Sequence, residues 1–322
     1  MHAVRQHVHG GPEVLVLEDV ADLEPGPDQV RVAVAAAGVH LLDASIRAGE
    51  SFGSLPAPEL PMTPGREVAG TVDAVGPGVD STWVGRRVVA HLGAASGGYA
   101  EQALVAVTSL HPVPDGLSAE LAVAAIGTGR TATGLLDVAD VRPGEVVLVM
   151  SAAGGLGVLL VQGVANAGAT AVGLAGGPVK TEVARRAGAS AVVDYLDDAW
   201  PDQVRGLGLE PTLVLDAVGG RAGEQAYALL VPGGRLVRYG WTAGDARYDD
   251  PERDVVEPLG PTLLARGLRT LESEALAAAA DGTRVPVVGG RFALGDAAEA
   301  HRALTGRRTF GKVVLVTKGG EA

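Results

Sequence analysis

Met150-Ser151-Ala152-Ala153-Gly154-Gly155-Leu156-Gly157 is the stretch whose reading decides the fold. It follows an apolar, β-rich run, Val146–Met150, and opens an apolar run of helical length, Leu156–Ala167. A second β-rich run, Ala171–Ala175, comes next. A glycine-rich turn in that setting suits an anionic ligand. The missing side chains let a phosphate approach the backbone, and the unpaired N–H groups and positive dipole end of the helix face it. Gly154 and Gly157 take the second and third glycine positions of the dinucleotide motif, and Ala152 takes the first. In a chain with 47 glycines the turn alone says little, and its flanking strand, helix and strand carry the reading. A pyrophosphate is expected along Ala153, Gly154, Gly155, Leu156 and Gly157.

Working outward, strand and helix patterns alternate. Strands are expected at Val146–Met150, Ala171–Ala175, Ala191–Val193, Leu213–Asp216 and Arg235–Tyr239. Helices fit Leu156–Ala167, Val179–Ala187, Ala199–Gly206 and Arg221–Leu230. Such alternation predicts an α/β unit, a doubly wound parallel sheet covered by helices on both faces. No charged residue occurs from Val146 to Val179, which a hydropathy window would flag as a membrane span. The interspersed glycines, Gln162, Asn166 and the change of period favour a buried strand, helix and strand instead. Thr242–Thr270 mixes turn residues with a helical stretch around Leu259–Gly267.

Before Leu117 the chain reads as short β segments: Val14–Val20, Val30–Ala36, Glu67–Val75, Arg87–His91 and Tyr99–Val107. Ser54–Pro64 holds four prolines and is expected to be a loop. This part predicts a partly closed β-barrel. After Pro114-Asp115-Gly116, Ser118 and Glu120 mark a helix start. Near the end, Asp296–Leu304 looks helical and Lys312–Thr317 a strand.

A length of 322 residues suits two domains. Aromatics are 3%, so the core must be built from Ala, Val and Leu. The formal charge of −12, with both signs interspersed and no basic patch, argues against a nucleic-acid partner. There is no cysteine, which removes disulfides, thiolate catalysis and every Cys-containing zinc site. The opening MHAVRQHVHGG lacks the apolar run of a signal peptide, and a soluble, cytoplasmic chain is expected.

The end of the second strand chooses between NAD and NADP. An NAD site places Asp or Glu there for the ribose 2′-OH. Here the sequence runs Gly173-Leu174-Ala175-Gly176-Gly177-Pro178-Val179-Lys180, with no acid until Glu182. A missing carboxylate removes repulsion of a 2′-phosphate and Lys180 can attract it, so NADPH is expected. The alternative is that Lys180 only solvates a helix face.

Several further motifs occur in order. Ala36-Ala37-Gly38-Val39-His40 with Asp43 is similar to an A-x-G-V-N-x-x-D stretch. Pro64-Gly65-Arg66-Glu67, Gly70-Thr71-Val72 and Val75-Gly76-Pro77-Gly78-Val79 follow. Thr131-Ala132, Ala187-Gly188-Ala189, Asp216-Ala217-Val218-Gly219-Gly220 and Phe310-Gly311-Lys312-Val313-Val314-Leu315 complete the series. Together they resemble, nearly end to end, the zinc-independent medium-chain dehydrogenase/reductases of the quinone oxidoreductase (zeta-crystallin-like) branch. The resemblance implies a GroES-like catalytic domain from residues 1–117 and 290–322. A Rossmann domain at 118–289 would be inserted between them, with cofactor and substrate in a cleft and homodimers as the assembly. It also implies that Lys180 and Tyr195, beside Gly176, contact the adenosine 2′-phosphate. Thr131, Val218, Tyr239, Gly240, Phe310 and Gly311 would line the nicotinamide side.

Zinc-dependent relatives carry a G-H-E motif where this chain has Gly65-Arg66-Glu67, and a permanently cationic Arg cannot ligate zinc. Without a metal, the expected chemistry is hydride transfer to an acceptor that already delocalises charge, a quinone or an α,β-unsaturated carbonyl. His40, which stands where the branch has Asn, and Asp43 are the candidate catalytic residues, with Ser45 near them. The imidazole either donates the proton that completes reduction or only hydrogen-bonds the nicotinamide ribose. Asp43 either acts on substrate or holds a local network. His91, His111 and His301 are expected to be surface or structural residues. The tyrosines common after Asp43 in the branch are absent, with Ser51 and Phe52 in that region, which loosens the quinone expectation. Two other readings stay open: an enoyl-thioester reductase, for which the acidic composition offers no basic entrance, and a cofactor-binding protein without turnover.

Overall fold

The computed structural model describes residues 1–50, 58–93, 96–258, 260 and 262–317. In chain order it begins with β1 (His2–Gln6), β2 (Leu15–Asp19), β3 (Gln29–Val39), α1 (Leu41–Ala48) and β4 (Glu67–Val75). Then come β5 (Arg87–His91), β6 (Gln102–Ala106), β7 (His111–Pro112) and α2 (Ala119–Ala124). The middle of the chain is α3 (Arg130–Ala139), β8 (Val146–Met150), α4 (Gly155–Asn166), β9 (Thr170–Ala175), α5 (Pro178–Arg186), β10 (Ala191–Asp194) and α6 (Trp200–Gly206). It continues through β11 (Leu213–Asp216), α7 (Gly220–Ala228), β12 (Arg235–Arg238), β13 (Asp254–Val256) and α8 (Leu268–Ala280). The chain closes with β14 (Val288–Ala293), α9 (Ala297–Thr305) and β15 (Lys312–Val316). No helix of the described residues is long and apolar enough to cross a membrane.

Two compact units result: Met1–Gly127 with Pro286–Ala322, and Thr128–Val285. The first is organised by β3, which is too long for one partner. Val30–Ala37 pairs β4, while on its other edge Gln29–Ala33 pairs β6 and Ala36–Val39 pairs β15. Two irregularities in the β3–β4 register, near Arg31 and Val34, bend the strands and curl the sheet, as a partly closed GroES-like barrel requires. Inside lie Val30, Val32 and Val34 with Val68, Val72, Val88 and Leu315, sealed by Leu294, Ala297 and Ala300. The helix begun at Ser118, whose hydroxyl accepts from the Leu121 N–H, packs on β3, β4 and β5. The first unit therefore runs past Leu117 to Gly127, and β14 brings its return in at Pro286.

The second unit is a six-stranded parallel sheet of order β10-β9-β8-β11-β12-β13, the doubly wound Rossmann arrangement. Successive side chains of a strand face opposite ways, so a sheet covered on both sides needs apolar residues at every position. Val147 and Val149 of β8 join a cluster with Leu159, Leu160 and Val164 of α4 and Leu135 of α3. Leu148 and Met150 join the opposite cluster, with Trp200 and Val204 of α6 and Tyr227 after β11. This is why Val146–Val179 lacks charge: it is strand, helix and strand buried from both sides.

One expected helix is corrected. Of Leu259–Gly267, Leu259 and Pro261 lie outside the described residues, and 260 and 262–266 form turns. The helix starts only at Leu268, because Gly267 adopts φ +83°, a left-handed conformation that a helix cannot pass through. Of the Ser54–Pro64 loop, residues 54–57 lie outside the described set, and the rest meets β1 by the Gln6–Met62 bridge and by Arg5, which donates to Thr63 and to the Pro61 carbonyl.

The start of β12 carries the most connected ion pair of the second unit. Arg235 meets Glu145 through two N–H···O bonds of 2.6 and 2.8 Å and also donates to the Ala139 and Asp140 carbonyls that end α3. These bonds, from Arg235 above all, hold the Glu145 carboxyl at about 2. A carboxylate depressed in the folded state contributes stability above its unfolded pKa and loses it as pH falls toward the folded value. Arg235→Met is expected to cost about 2 kcal/mol at pH 7, the scale of charged hydrogen bonds. The gap from wild type should close between pH 4.5 and 2, read by denaturant unfolding at each pH. A gap independent of pH would show that the pair is not its source.

Candidate active site

At the turn, β8 ends at Met150 and Ser151 swings into a left-handed conformation, φ +53°. The Ala152 N–H donates to the Leu174 carbonyl (3.0 Å) and the Gly154 N–H to the Ser151 carbonyl (2.8 Å), which folds the turn back on itself. Gly154 then caps α4 in an extended conformation, with no side chain to accept from the first-turn N–H groups. A Cβ on Gly157 would lie 2.1 Å from the Ser151 oxygen, so only glycine lets the helix sit this close to the strand end. The result is an open helix N-terminus at the point where the chain order reverses, β9 and β10 lying to one side of β8 and β11 to β13 on the other. Ligands of open parallel sheets bind at such points.

The neighbouring strands end at the same edge. Gly176 and Gly177 follow β9, and Lys180 lies half-buried in the first turn of α5. Tyr195 follows β10 and donates its N–H to the Ala175 carbonyl (3.3 Å), and its ring lies beside Gly176. Sequence reasoning overlooked one acid here. Asp194 pairs in register with Ala175, but its Oδ1 accepts from the Leu196 N–H at 3.0 Å. Past β11, buried Asp216 accepts from the N–H groups of Val218 (2.7 Å) and Gly219 (3.0 Å) and from the Tyr248 hydroxyl (2.5 Å). Tyr239 donates its N–H to the Asp216 carbonyl, and Gly240 passes so close to Ala217 that a Cβ would meet its oxygen at 2.5 Å. The Tyr239 hydroxyl is buried with no hydrogen-bond partner among the described residues, and burial, helped by Asp216, pushes its pKa up.

Ala153 to Gly157, Gly176, Lys180, Tyr195, Val218, Tyr239 and Gly240 thus share the C-terminal edge of one sheet. Thr131 lies in the first turn of α3, after a π-helical turn at Ala125–Gly129. Phe310 and Gly311 belong to the first unit and lead into β15, Gly311 with φ +55°.

The first unit holds the catalytic candidates. His40 caps α1, and Asp43, three residues on, accepts from the His40 N–H (2.9 Å) and from the Tyr99 hydroxyl (3.1 Å). Asp43 is therefore a buried positioning group for the helix start. The chain of contacts runs on from Tyr99 to His301 Nε2 (3.1 Å), and from His301 Nδ1 to Arg47 (3.0 Å). Burial, then the Arg47 charge, lowers the His301 pKa to about 3, so at neutral pH its Nδ1 accepts and its Nε2–H donates. His301 is a structural residue, fully buried.

Beside His40 lie two groups that the sequence reading quoted within motifs without giving them a role. Glu67 opens β4 and Lys312 opens β15. Glu67 Oε2 is 2.7 Å from His40 Nε2 and 2.8 Å from Lys312 Nζ, and Lys312 Nζ is 2.7 Å from His40 Nε2. The side chains are 27% exposed for His40, 4% for Lys312 and 0% for Glu67. Burial alone would raise the Glu67 pKa, but His40 and the Lys312 ammonium beside it override that and hold it far below the usual carboxylate range. The available signal was a charged residue opening each of two largely apolar strands.

The donor set does not fit a catalytic zinc. Arg66 is cationic and donates its Nε to the Gly93 carbonyl (2.7 Å). The chain has no cysteine, and among the described residues no three His, Asp or Glu side chains converge on a metal-sized site.

Two family models match the chain: an alcohol dehydrogenase GroES-like domain over residues 26–115 and a zinc-binding dehydrogenase over residues 155–261. The chain is 34% identical to a quinone oxidoreductase of Pseudomonas aeruginosa and to a 2-haloacrylate reductase of a Burkholderia species. Each match spans 96% of the chain and 97% of the relative. Among solved structures, one titled an NAD-dependent alcohol dehydrogenase superposes with a TM-score of 0.85 at 33% identity, covering 98% of this chain and 99% of that one. The Thermus thermophilus quinone oxidoreductase, solved alone and with NADPH, gives 0.82 at 33% identity over 98% of this chain and 100% of that one. Matched from end to end by such relatives, the chain belongs to the quinone oxidoreductase family of the medium-chain dehydrogenase/reductases.

Proposed function

We propose that the chain is an NADPH-dependent, zinc-independent reductase that delivers hydride to a quinone or an α,β-unsaturated carbonyl. The observation that carries the reading is the open N-terminus of α4 beside a β9 end that has no carboxylate of its own. The first acid after β9, Glu182, is engaged by Arg185 and Arg186 on its own helix. Asp194 is turned to a backbone N–H, and Lys180 supplies positive charge at the same edge. The NADPH complex of the Thermus relative supports this choice, while the structure titled NAD-dependent makes the preference the point to test.

When bound, NADPH supplies the hydride, and the residues of this chain do the rest. The N–H groups of Gly155, Leu156 and Gly157 would hold the pyrophosphate, and Lys180 and Tyr195 the adenosine end. The unpartnered Tyr239 hydroxyl and the Val218 and Gly240 backbone would line the reactive end. With Arg66 in the zinc-ligand place, no Lewis acid polarises an alcohol, so the acceptor must carry its own conjugation. The Burkholderia relative is named for reducing a haloacrylate, an activated alkene, which favours that class. His40, the partly exposed member of its cluster, would supply the proton.

With NADPH, quinones and enones are expected to be reduced at least tenfold better, by kcat/KM, than enoyl-thioesters. Faster thioester reduction would favour the carrier-linked reading, and no turnover of any acceptor would leave a binding protein only. Lys180→Ala is expected to raise the KM for NADPH about tenfold, the worth of one charge-assisted contact, and to move that for NADH less than twofold. Equal losses with both cofactors would remove Lys180 from 2′-phosphate recognition.

A further inference from the structure

The Glu67 carboxylate is an expensive object where it stands. Desolvating an ion costs several kcal/mol, and a buried pair seldom returns more stability than two apolar side chains of the same volume. The fold nevertheless gives up two side chains to house it. A Cβ on Gly38 would lie 2.1 Å from Oε2, and one on Gly127 would lie 1.7 Å from Oε1. Neither carboxylate oxygen receives a hydrogen bond of good geometry, although the His40 ring and the Lys312 ammonium sit at 2.7 and 2.8 Å from Oε2. The contacts with hydrogen-bond geometry run from Lys312 Nζ to the His40 ring, at 2.7 Å to Nε2 and at 3.4 Å to Nδ1, and the short one is the bond to Nε2. An ammonium can only donate, so Nε2 is the acceptor and the imidazole proton sits on Nδ1.

We propose that Lys312 is the proton source behind His40, acting through the imidazole, with Glu67 holding the ammonium in place. This rests on the reductase reading above. Once hydride has reached the acceptor, the resulting enolate or quinol anion takes the Nδ1 proton of His40. As that N–H bond breaks, Nε2 takes a proton from Lys312 Nζ, and the ring ends as the other neutral tautomer. Lys312 is left as a neutral amine and regains its proton from solvent before the next turnover. Glu67 stays ionised throughout. The remaining titratable groups around the three are His91 on β5, whose charge also acts on Glu67, and Asp43 and Tyr99, which bond to each other. Asp43 is further committed to the His40 backbone N–H.

Lys312→Arg separates relay from charge, because a guanidinium keeps the positive charge and the hydrogen bonds but does not release a proton. Lys312→Met and Lys312→Arg are both expected to lower kcat about a hundredfold, the scale of a lost general acid. NADPH affinity should stay within about threefold of wild type. Wild-type kcat and an unchanged pH profile in Lys312→Arg would overturn the relay and leave Lys312 a charge only. The 15N resonances of His40 in the cofactor-free protein decide the same point without turnover. Wild type is expected to show a protonated Nδ1 and a lone pair on Nε2, and Lys312→Met to move the proton to Nε2, facing Glu67. A wild-type ring protonated at Nε2 would contradict the proposal. A wild type that reduces no acceptor would instead sink the reductase reading, and the 15N result would still decide whether Lys312 donates to His40.

Discussion

The contact between the Ser151 carbonyl and the α-carbon of Gly157 is the constraint on which the second unit depends. Any side chain at Gly157 would collide with that oxygen. Because none is there, α4 starts almost at the end of β8, and its first N–H groups face outward with no side chain to occupy them. Close helix packing and the open N-terminus are two consequences of one missing methyl group. The same edge gathers Gly176, Tyr195, Val218 and Tyr239, because parallel strands deliver all their C-terminal ends to one side.

The two units meet charge in opposite ways. In the second, a phosphate would be met by partial charges of the backbone, which the helix start presents without any charged side chain. In the first, a full carboxylate is buried between two glycines and compensated by Lys312 and His40. Three elements, α1, β4 and β15, each contribute one residue, so the cluster exists only when the last strand of the chain has joined the β3 sheet. That ties the chemistry of His40 to the completed fold of its unit.

Much of this could be read from the sequence. Each expected strand and helix of Val146–Arg238 is found within one or two residues, because two-sided burial writes unbroken apolar runs and glycines write the turns. Local chemistry was equally legible at Ser118, a helix cap. What could not be read was where distant residues meet. Glu67 and Lys312 are 245 positions apart in a 322-residue chain (312 − 67), and nothing local announces their contact. Asp43 and His301 likewise gain their meaning from Tyr99, which joins them. The helix placed around Leu259–Gly267 failed because apolar spacing was weighed over Gly267, whose conformation stops any helix there.

The central claim is that the β8–α4 turn is the cofactor cradle. The most direct measurement is the backbone amide spectrum of the protein titrated with NADPH. The account predicts saturable, downfield shifts at the amides of Gly155, Leu156 and Gly157, the N–H groups that would meet the pyrophosphate. Binding that saturates while those three amides stay unmoved would contradict it.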